Sequence, residues 1–498
     1  MNIVIVGGGT AGWISALILS SYQKNHHKVT VVASEEIGIL GVGESTTAFF
    51  SSLVATDFFG INRYEFFNET DSTLKLGVNL KNWNLSKKDF YSPIDGSFTK
   101  ANNIDYCIAH AILNDLPIHN TSKCAYLCAN GLSDIRKISD KKNFICDNVH
   151  AVHIDTFKTG TFLKKKCIEK GVNYIEGKVE NIILNDDGGI KNIKLSDGKE
   201  VFGDFFVDAS GFNRVLSTAV GSKFVSYKHH LPVNKAISFV KSRDPDVDFN
   251  PETTATALSS GWMWDIPTRE RNGMGYVFCD DYISEEEALD ELKENGHDID
   301  DYRLLKFESG RLDKLWNKNC LSVGVGGSFL EPLQATSIHT TIAQLLIFVD
   351  KYLSVAHKSI ESEILVKRYN SEIINMIDDF RDLVSVHYSG GREDSLFWKD
   401  MTHGNRITEF AKDIIDLANT RVLFPADFKS YFGAAGYDIW YYILHGLGHI
   451  KKAVFEDFYS GFDLKSESQK YYAHHLDQME KTKNLYFTNK ELNNFFKN

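Results

Sequence analysis

Residues 1–13, Met-Asn-Ile-Val-Ile-Val-Gly-Gly-Gly-Thr-Ala-Gly-Trp, decide the fold that we expect for this chain. A β-branched run over residues 2–6 is followed at once by glycines and then by an apolar helical pattern over residues 13–19. This order predicts a strand, a tight turn and a helix. A second apolar strand over residues 28–33 completes a βαβ unit, which implies a parallel sheet. The expected fold class is therefore α/β with a Rossmann-type core.

The glycines of this turn are spaced as GxGxxG, at Gly7, Gly9 and Gly12. The first permits the tight turn, the second lets the backbone approach a pyrophosphate, and the third allows close helix packing. A phosphate would then lie at a helix N-terminus, next to Thr10 and Ala11. We predict that these five residues bind a dinucleotide, while the alternative is a glycine turn that serves packing alone.

The later sequence favours FAD over NAD. The ribose-binding acid expected after the second strand is replaced by Ala33, with Ser34 or Glu35 as substitutes. Glycine-rich segments around Asp208 and Gly324 look like late returns of the chain to a dinucleotide, which are more typical of FAD folds. We expect both residues to contact the cofactor. No second GxGxxG in a βαβ setting is visible, so another protein should reduce the flavin.

Composition excludes several classes of function. The 498 residues are 43% hydrophobic and 24% charged, as in an ordinary soluble protein. The net charge of -11 argues against nucleic acid or an anionic membrane as a partner. The seven cysteines form no CxxC pair and no His-partnered metal spacing, so we expect reduced thiols and no metal. No apolar run is long enough to span a bilayer, and we expect a cytoplasmic protein.

Two modules are expected along the chain. Residues 1–350 should form the FAD-binding module, with mixed or antiparallel sheet additions at hairpins around residues 186–189 and 197–198. An irregular, aromatic segment at about 47–146 interrupts it. Residues 351–498 should form a mostly helical C-terminal module that packs against the first and covers the substrate.

A pair of tryptophans lies in residues 261–267, Gly-Trp-Met-Trp-Asp-Ile-Pro. If the segment is extended, Trp262 and Trp264 project from the same face and form a rigid apolar wall that ends at Pro267. Beside a flavin, such a wall would restrict which molecules reach the ring and so decide its chemistry.

With these residues assembled, the chain resembles the flavin-dependent halogenases of the tryptophan halogenase family. Residues 7–13 continue in the family's manner, and residues 262–267 fit its WxWxIP motif. Residues 329–333 and 392–398 also resemble family segments. The resemblance implies an FADH2-dependent oxidoreductase that acts on a small aromatic substrate, with a separate NAD(P)H-dependent flavin reductase as its partner. The sequence also allows a homo-oligomer.

The segment over residues 41–46 resembles the family's strap across the flavin. The resemblance therefore adds four residues to those expected to bind the cofactor, namely Gly41, Gly43, Glu44 and Ser45.

The resemblance also implies a mechanism. Reduced FAD, dioxygen and halide together yield hypohalous acid, and Trp262 and Trp264 keep the organic substrate away from the flavin. Lys75, within residues 74–78, matches the family's lysine that presents electrophilic halogen to the substrate ring. Taken alone, Lys75 would be interpreted as a solvated surface residue.

The chain departs from the family where tryptophan-specific members have Glu-Ser-Thr-Gly. Gln334 replaces the glutamate, and it can position groups by hydrogen bonding but cannot act as a base. Thr336 and Ser337 are expected to contact halide. Because Ser337 replaces the glycine, chloride, bromide and iodide all stay open as the halide.

The C-terminal part lacks the family's arrangement for free tryptophan. It offers Tyr437, Trp440 and Tyr441, which either line an aromatic substrate pocket or pack in the core. We therefore expect a phenol-like or indole-like substrate rather than free tryptophan. The alternatives are a flavin-dependent monooxygenase or oxidase, and a degenerate FAD-binding protein that halogenates nothing.

Overall fold

A computed structural model of the chain describes residues 1–22, 27–38, 41, 44–54, 57–86, 89–95, 100–101, 104–141, 145–147, 150–244, 247–353, 362–428 and 436–497. The chain forms two compact units. The first contains residues 1–71, 154–228 and 307–378, and the second contains residues 72–153, 229–306 and 379–498. Each unit contains residues from before and after residue 350, where a module boundary was expected. That boundary stays a prediction.

A six-stranded sheet forms the centre of the first unit. Its strands, in spatial order, are Asn173–Glu176, Lys28–Ala33, Asn2–Val6, Phe205–Asp208, Cys320–Ser322 and Trp316–Asn317. The first five pair in parallel, and the last is an antiparallel addition. The central strand is a run of Ile and Val because both of its faces are buried.

The expected βαβ unit is present, since the helix Thr10–Ser21 follows the first strand directly. On one face of the sheet, Val4 and Phe206 pack against Ile193 and Leu195. The latter two belong to an antiparallel sheet of three strands, Val179–Leu184, Ile190–Leu195 and Glu200–Phe202. The hairpins expected at residues 186–189 and 197–198 are therefore confirmed.

The other elements of the first unit lie around this sheet. The remaining strands are Glu44–Ser45, Phe224–Ser226, Gly310–Leu312 and Ser328–Phe329. The remaining helices are Ala48–Leu53, Arg63–Thr70, Thr156–Glu169, Val215–Ala219, Gly324–Gly327 and Thr336–Lys351. The helix Glu363–His387 begins in the first unit and ends in the second.

A seven-stranded sheet forms the centre of the second unit. Its strands, in spatial order, are Arg303–Lys306, Lys235–Ser242, Arg271–Phe278, Gly261–Pro267, Glu252–Leu258, Gly77–Lys81 and Phe90–Pro93. Neighbours are antiparallel except for Glu252–Leu258 and Gly77–Lys81, which are parallel. Shorter strand pairs join Thr73–Lys75 to Ala151–Ile154, Leu132–Arg136 to Tyr486–Thr488, and Lys100–Ala101 to Ile104–Asp105.

Helices make up most of the C-terminal part of this unit. The helices of the second unit are Tyr106–Leu113, Lys123–Ala129, Glu285–Glu294, Leu396–His403, Glu409–Ala418, Tyr437–Leu447, Lys452–Gly461, Lys465–Thr482 and Asn489–Lys497. The expected α/β fold with mixed sheet additions and a helical C-terminal part is confirmed. Residues 47–146 are more regular than expected, with four α-helices among their described residues. Across the described parts of the chain, no helix has the length and apolarity needed to cross a membrane.

Candidate active site

The glycine turn of the first unit is shaped by close packing. A Cβ at Gly7, whose φ is +124°, would lie 2.1 Å from the Ala209 oxygen, and one at Gly12 would lie 2.0 Å from the Gly7 oxygen. At Gly9, in contrast, a Cβ would meet nothing within 4 Å. Gly7 and Gly12 are therefore required by packing, while Gly9 leaves the helix N-terminus open to a ligand.

This helix N-terminus carries free hydrogen-bonding capacity. Its N-cap residue Gly9 provides no side-chain cap, so the first N–H groups of the helix Thr10–Ser21 have no side-chain acceptor there. The Thr10 hydroxyl is buried and has no hydrogen-bond partner among the described residues. An anionic pyrophosphate would satisfy both, so the turn fits a dinucleotide.

Three loops meet at the carboxyl ends of neighbouring parallel strands of this sheet, which is where open α/β sheets bind dinucleotides. They follow Asn2–Val6, Phe205–Asp208 and Cys320–Ser322. In the third loop, Gly324 has a φ of +64°, and its added Cβ would lie 2.7 Å from that of Ala11. The late glycine cluster therefore packs directly on the dinucleotide turn.

Asp208 shapes the second of these loops. One carboxylate oxygen accepts hydrogen bonds from the Ser210 N–H at 3.1 Å and the Ser210 hydroxyl at 2.6 Å. The other accepts from the Leu216 and Ser217 N–H groups at 2.9 and 2.7 Å, and from the Ser217 hydroxyl. This buried carboxylate positions the loop, and its direct contact with the cofactor stays a prediction.

Gly41, at the start of the strap segment, and Thr47, just after its end, lie close to other parts of the first unit. A Cβ at Gly41 would lie 2.6 Å from the Thr156 side chain, so the strap passes close to that residue. Thr47 Oγ1 lies 2.9 Å from His339 Nδ1, in the helix Thr336–Lys351. Burial lowers the pKa of His339 to about 4, so this ring is neutral.

The expected strap residues fall in and around the short strand Glu44–Ser45. Burial raises the pKa of Glu44 to about 7, so this carboxyl is partly protonated at neutral pH. Gly43 lies outside the described residues.

The helix Thr336–Lys351 presents its N-terminus next to the segment that departs from the family. Ala335, at its N-cap, adopts a left-handed conformation with a φ of +54° and supplies no side-chain cap. The Thr336 hydroxyl is buried and has no hydrogen-bond partner among the described residues. The Ser337 carbonyl accepts bonds from two hydroxyls one turn later, and the partly exposed Gln334 ends the preceding 3₁₀ turn. An anion such as halide fits this N-terminus.

The tryptophan wall of the second unit is formed as expected. Trp262 and Trp264 lie on one face of the strand Gly261–Pro267, with ring centroids 6.4 Å apart and exposures of 1% and 6%. Trp83 extends the wall, with its ring centroid 6.4 Å from that of Trp262. Neither N–H of the two motif indoles has a partner among the described residues. Unpaired buried N–H groups of this kind cost stability.

Small residues on the neighbouring strands make room for these indoles. Ala257 lies opposite Trp262 in one neighbouring strand, and Ala255 lies opposite Trp264. On the other side, Trp264 pairs with Gly275, where an added Cβ would lie 2.3 Å from the indole ring. The sequence therefore alternates large and small residues across three strands, and this fixes the indole orientations.

Lys75, also in the second unit, is almost completely buried, with 2% exposure. It ends the short strand Thr73–Lys75, where it pairs with Ala151. Burial lowers the pKa of its amine to about 7, against the opposing effect of the Cys128 thiol. The free amine and the ammonium are therefore present in comparable amounts at neutral pH. The alternative of a solvated surface lysine is wrong.

A hydrogen-bonded chain fastens the lysine strand to the tryptophan strand. The Thr73 hydroxyl donates to the Pro267 carbonyl and lies 3.2 Å from His153 Nδ1, while His153 Nε2 lies 2.9 Å from the Thr253 hydroxyl. Burial and the charge of Lys75 hold the pKa of His153 well below its ordinary value, so the ring is neutral. A neutral imidazole donates through one nitrogen and accepts through the other, so the ring links Thr73 to Thr253.

The C-terminal aromatic residues divide between two environments. Tyr437 and Tyr441 line a small cavity whose other lining residues include Asp105. Trp440 instead packs on Phe410 and Phe428, at ring distances of 6.1 and 5.5 Å. All three predicted pocket residues are at least 95% buried in the helix Tyr437–Leu447. The structure therefore places two of them at one cavity and the third in an aromatic cluster.

Comparison with known proteins agrees with this arrangement. A family model described as tryptophan halogenase matches residues 2–457. The chain belongs to the tryptophan halogenase family. The enzyme is thus an FADH2-dependent halogenase that uses FAD and halide, as the resemblance implied. Halogenases of this kind rely on a separate flavin reductase and act on an aromatic substrate.

Alignments with individual relatives extend over most of the halogenase. The 7-chloro-L-tryptophan 6-halogenase KtzR of Kutzneria sp. (strain 744) is 30% identical over 432 residues, covering 80% of this chain and 81% of that protein. The tryptophan 7-halogenase RebH of Lentzea aerocolonigenes is 28% identical over 500 residues, covering 91% and 90%. The structure of Tar14, a tryptophan C-6 flavin-dependent halogenase (chlorinase) from taromycin biosynthesis, has a TM-score of 0.90 at 25% identity, with complete coverage of both chains.

Several residues of the site were not identified from the sequence. Thr73 comes just before the matched residues 74–78, His153 belongs to a short strand that gave no motif, and Thr47 and His339 are 292 residues apart. Trp83 follows the matched lysine segment, and that position was the one available signal for it.

Proposed function

We propose that the halogenase transfers electrophilic halogen through Lys75 to an electron-rich aromatic ring. The observation that carries the proposal is the burial of Lys75 on a strand fastened, through Thr73, to the end of the tryptophan strand. A buried amine with a pKa of about 7 is nucleophilic at neutral pH, which an exposed lysine is not.

The proposed transfer takes place in two balanced steps. Bound FADH2, together with dioxygen and halide, supplies the hypohalous acid with which the first step begins. The free amine of Lys75 attacks the halogen, the nitrogen–halogen bond forms and the oxygen–halogen bond breaks. The displaced hydroxide takes one amine proton and leaves as water. The aromatic ring then takes the halogen, and its displaced proton returns the lysine to its starting form.

Trp262 and Trp264 are proposed to screen the flavin from the organic substrate. Their indoles are rigid because the neighbouring strands fix them, and they cover their face of the sheet with apolar rings. A screen of this kind favours reaction of oxidant with halide over direct oxygenation of the arene.

Gln334, Thr336 and Ser337 are proposed to act around the halide and the halogenating species. The Thr336 hydroxyl and the helix N-terminus offer hydrogen-bond donors to an anion. Gln334 can orient a neighbour but cannot accept the ring proton as a base. We therefore propose a substrate whose own substituent activates the ring, such as a phenol or a substituted indole, rather than free tryptophan.

Tyr437 and Tyr441, which line a small cavity of the second unit, are proposed to border the space that takes this aromatic substrate. Trp440 supports them from the cluster with Phe410 and Phe428. The reductase partner is proposed to be NAD(P)H-dependent. A homo-oligomer and a cytoplasmic location stay predictions.

The deciding experiment compares Lys75→Ala with a matched control, Lys194→Ala, on an exposed strand position. Each variant is supplied with FADH2 by a flavin reductase, with bromide and an activated phenol, and product is read by mass. Lys75→Ala should form no halogenated product while it reoxidises FADH2 at the normal rate. Product from Lys75→Ala at the rate of the control would refute the role of Lys75.

The same assay separates the alternatives. Incubation with FADH2, dioxygen and substrate but no halide gives an oxygenated product if the enzyme acts as a monooxygenase. Retained FAD without any halogenated or oxygenated product, across the three halides and a panel of activated arenes, would identify a degenerate flavoprotein.

A further inference from the structure

A thiol, an imidazole and a carboxylate meet in the second unit, in a group that the halogenation chemistry does not use. They belong to Asp134, Cys146 and His150, and their potential ligand atoms all lie within 4.8 Å of one another. Asp134 and His150 are almost fully buried, with 0% and 3% exposure, and Cys146 is partly buried. Within the described residues this is the one group of its kind.

The backbone brings these three residues together by strand pairing. Cys146 lies opposite Ile135 in an isolated antiparallel bridge, and the Arg136 N–H donates to the Ile145 carbonyl at 3.0 Å. The strand Leu132–Arg136 is itself paired with Tyr486–Thr488. The strand that carries Asp134 is therefore paired with Cys146 and also with the strand Tyr486–Thr488.

The neighbouring carboxylate of Asp147 is already neutralised. It forms ion pairs with Arg136 at 2.7 Å and Lys123 at 3.5 Å, and it accepts from the Tyr486 hydroxyl. These contacts leave the Asp134 carboxylate facing His150, with Nδ1 of the ring 2.9 Å from one oxygen. The second oxygen of Asp134 is buried and has no hydrogen-bond partner among the described residues.

These three donors form the ligand set that zinc prefers. Thiolate sulfur, imidazole nitrogen and carboxylate oxygen bind zinc at about 2.0–2.3 Å, so ligand atoms on one ion lie about 3–4 Å apart in a tetrahedron. His150 Nδ1 and the Asp134 oxygen already lie 2.9 Å apart, and all the ligand atoms lie within 4.8 Å, so modest side-chain adjustments bring the group to that geometry. A cation would also satisfy the unpaired oxygen of Asp134, whose burial is otherwise costly.

We propose that Asp134, Cys146 and His150 bind one zinc-like divalent ion, with water in the fourth position, and that this ion stabilises the pairing of Cys146 with the strand Leu132–Arg136. With a thiolate, a carboxylate and a neutral imidazole, the protein ligands balance the charge of the ion. The residues lie at 134, 146 and 150, a spacing that no CxxC search detects, and the proposal departs here from the sequence-based expectation of no metal.

A proton competes with the metal ion for the His150 ring. Burial lowers the pKa of His150, but the Asp134 carboxylate and Cys146 raise it, to about 10. Without metal, His150 therefore forms an ion pair with Asp134, and the experiment must separate this state from metal binding.

The test uses the full-length, tag-free halogenase after chelator treatment. Zinc is added and unbound ion is removed by gel filtration, and the retained metal is measured by mass spectrometry. Cobalt(II) is added in a second sample, because a cobalt–thiolate bond gives near-ultraviolet charge-transfer absorption. We expect about one retained zinc per chain and a thiolate band in the wild type.

Cys146→Ala should lose the cobalt band and weaken zinc retention at least about tenfold, and Asp134→Asn should weaken it without removing the band. Cys107→Ala, which removes a buried thiol elsewhere, should change neither. A wild-type protein with no thiolate band, or a band that survives in Cys146→Ala, would leave only the ion pair and overturn the proposal. The wild-type spectrum decides the question even if a variant fails to fold.

Discussion

Replacement of Lys75 by methionine should stabilise the protein while it abolishes halogenation. Methionine has nearly the length of lysine and no charge, so it fills the same buried volume. The pKa of Lys75 falls from an ordinary 10.5 to about 7 because of burial. At about 1.4 kcal/mol for each pKa unit, the buried ammonium costs about 5 kcal/mol below pH 7. Lys75→Met also loses the hydrogen bonds of the amine, which reduces its gain in stability by about 1–2 kcal/mol.

The sign of the pH dependence follows from proton linkage. Between about pH 7 and pH 10 the unfolded chain binds a proton at Lys75 that the folded protein does not, so wild-type stability rises with pH through this site. Lys75→Met lacks that contribution. Its advantage in free energy of unfolding should therefore be about 2–4 kcal/mol at pH 7 and should shrink towards zero near pH 10.

Urea unfolding of the flavin-free protein at several pH values measures this difference, since subtraction removes every other titrating group. Lys194→Met, at an exposed strand position, serves as the control and should change the free energy of unfolding by less than about 0.5 kcal/mol. A Lys75→Met protein less stable than the wild type by the same amount at pH 7 and pH 9 would refute the reasoning.

Three further predictions concern the same two units. Halogenation at saturating halide should rise between about pH 6 and pH 8 as Lys75 loses its proton, and a flat profile of product formation would argue against the free amine as nucleophile. Gly275→Ala places a Cβ 2.3 Å from the Trp264 ring and should cost about 1–3 kcal/mol in urea unfolding, which an unchanged midpoint would contradict. Gly9→Ala should keep its thermal stability but bind FAD more weakly in a fluorescence titration. Gly12→Ala should lose thermal stability, because its Cβ would lie 2.0 Å from a backbone oxygen. Equal stability and equal FAD affinity of the two variants would contradict the assigned roles.

The parts of this enzyme that the sequence predicts correctly depend on local patterns. Residues 2–33 contain strand, turn, helix and strand within one short stretch, so their periodicity and glycine spacing are sufficient to predict these elements. The pairing of Trp262 and Trp264 on one face follows from strand geometry alone. The same holds for the two hairpins near residues 186–189 and 197–198.

The parts that the sequence does not predict depend on distant segments. The strand of the buried Lys75 pairs with residues 151–153, and Thr73 reaches Pro267 across 194 positions of sequence. Asp208 ends a strand, but the sequence does not show that one of its oxygens accepts from Ser210 and the other from the helix that begins at residue 215. No local pattern specifies which of these contacts a side chain makes.

The central claim is that Lys75 carries the halogen, and a discharge experiment tests it most directly. The enzyme is turned over with FADH2, dioxygen and bromide in the absence of an arene, freed of small molecules by rapid gel filtration, and then mixed with an activated phenol. The account predicts up to one equivalent of brominated product from the wild type and none from Lys75→Met. Equal product from both proteins would contradict it.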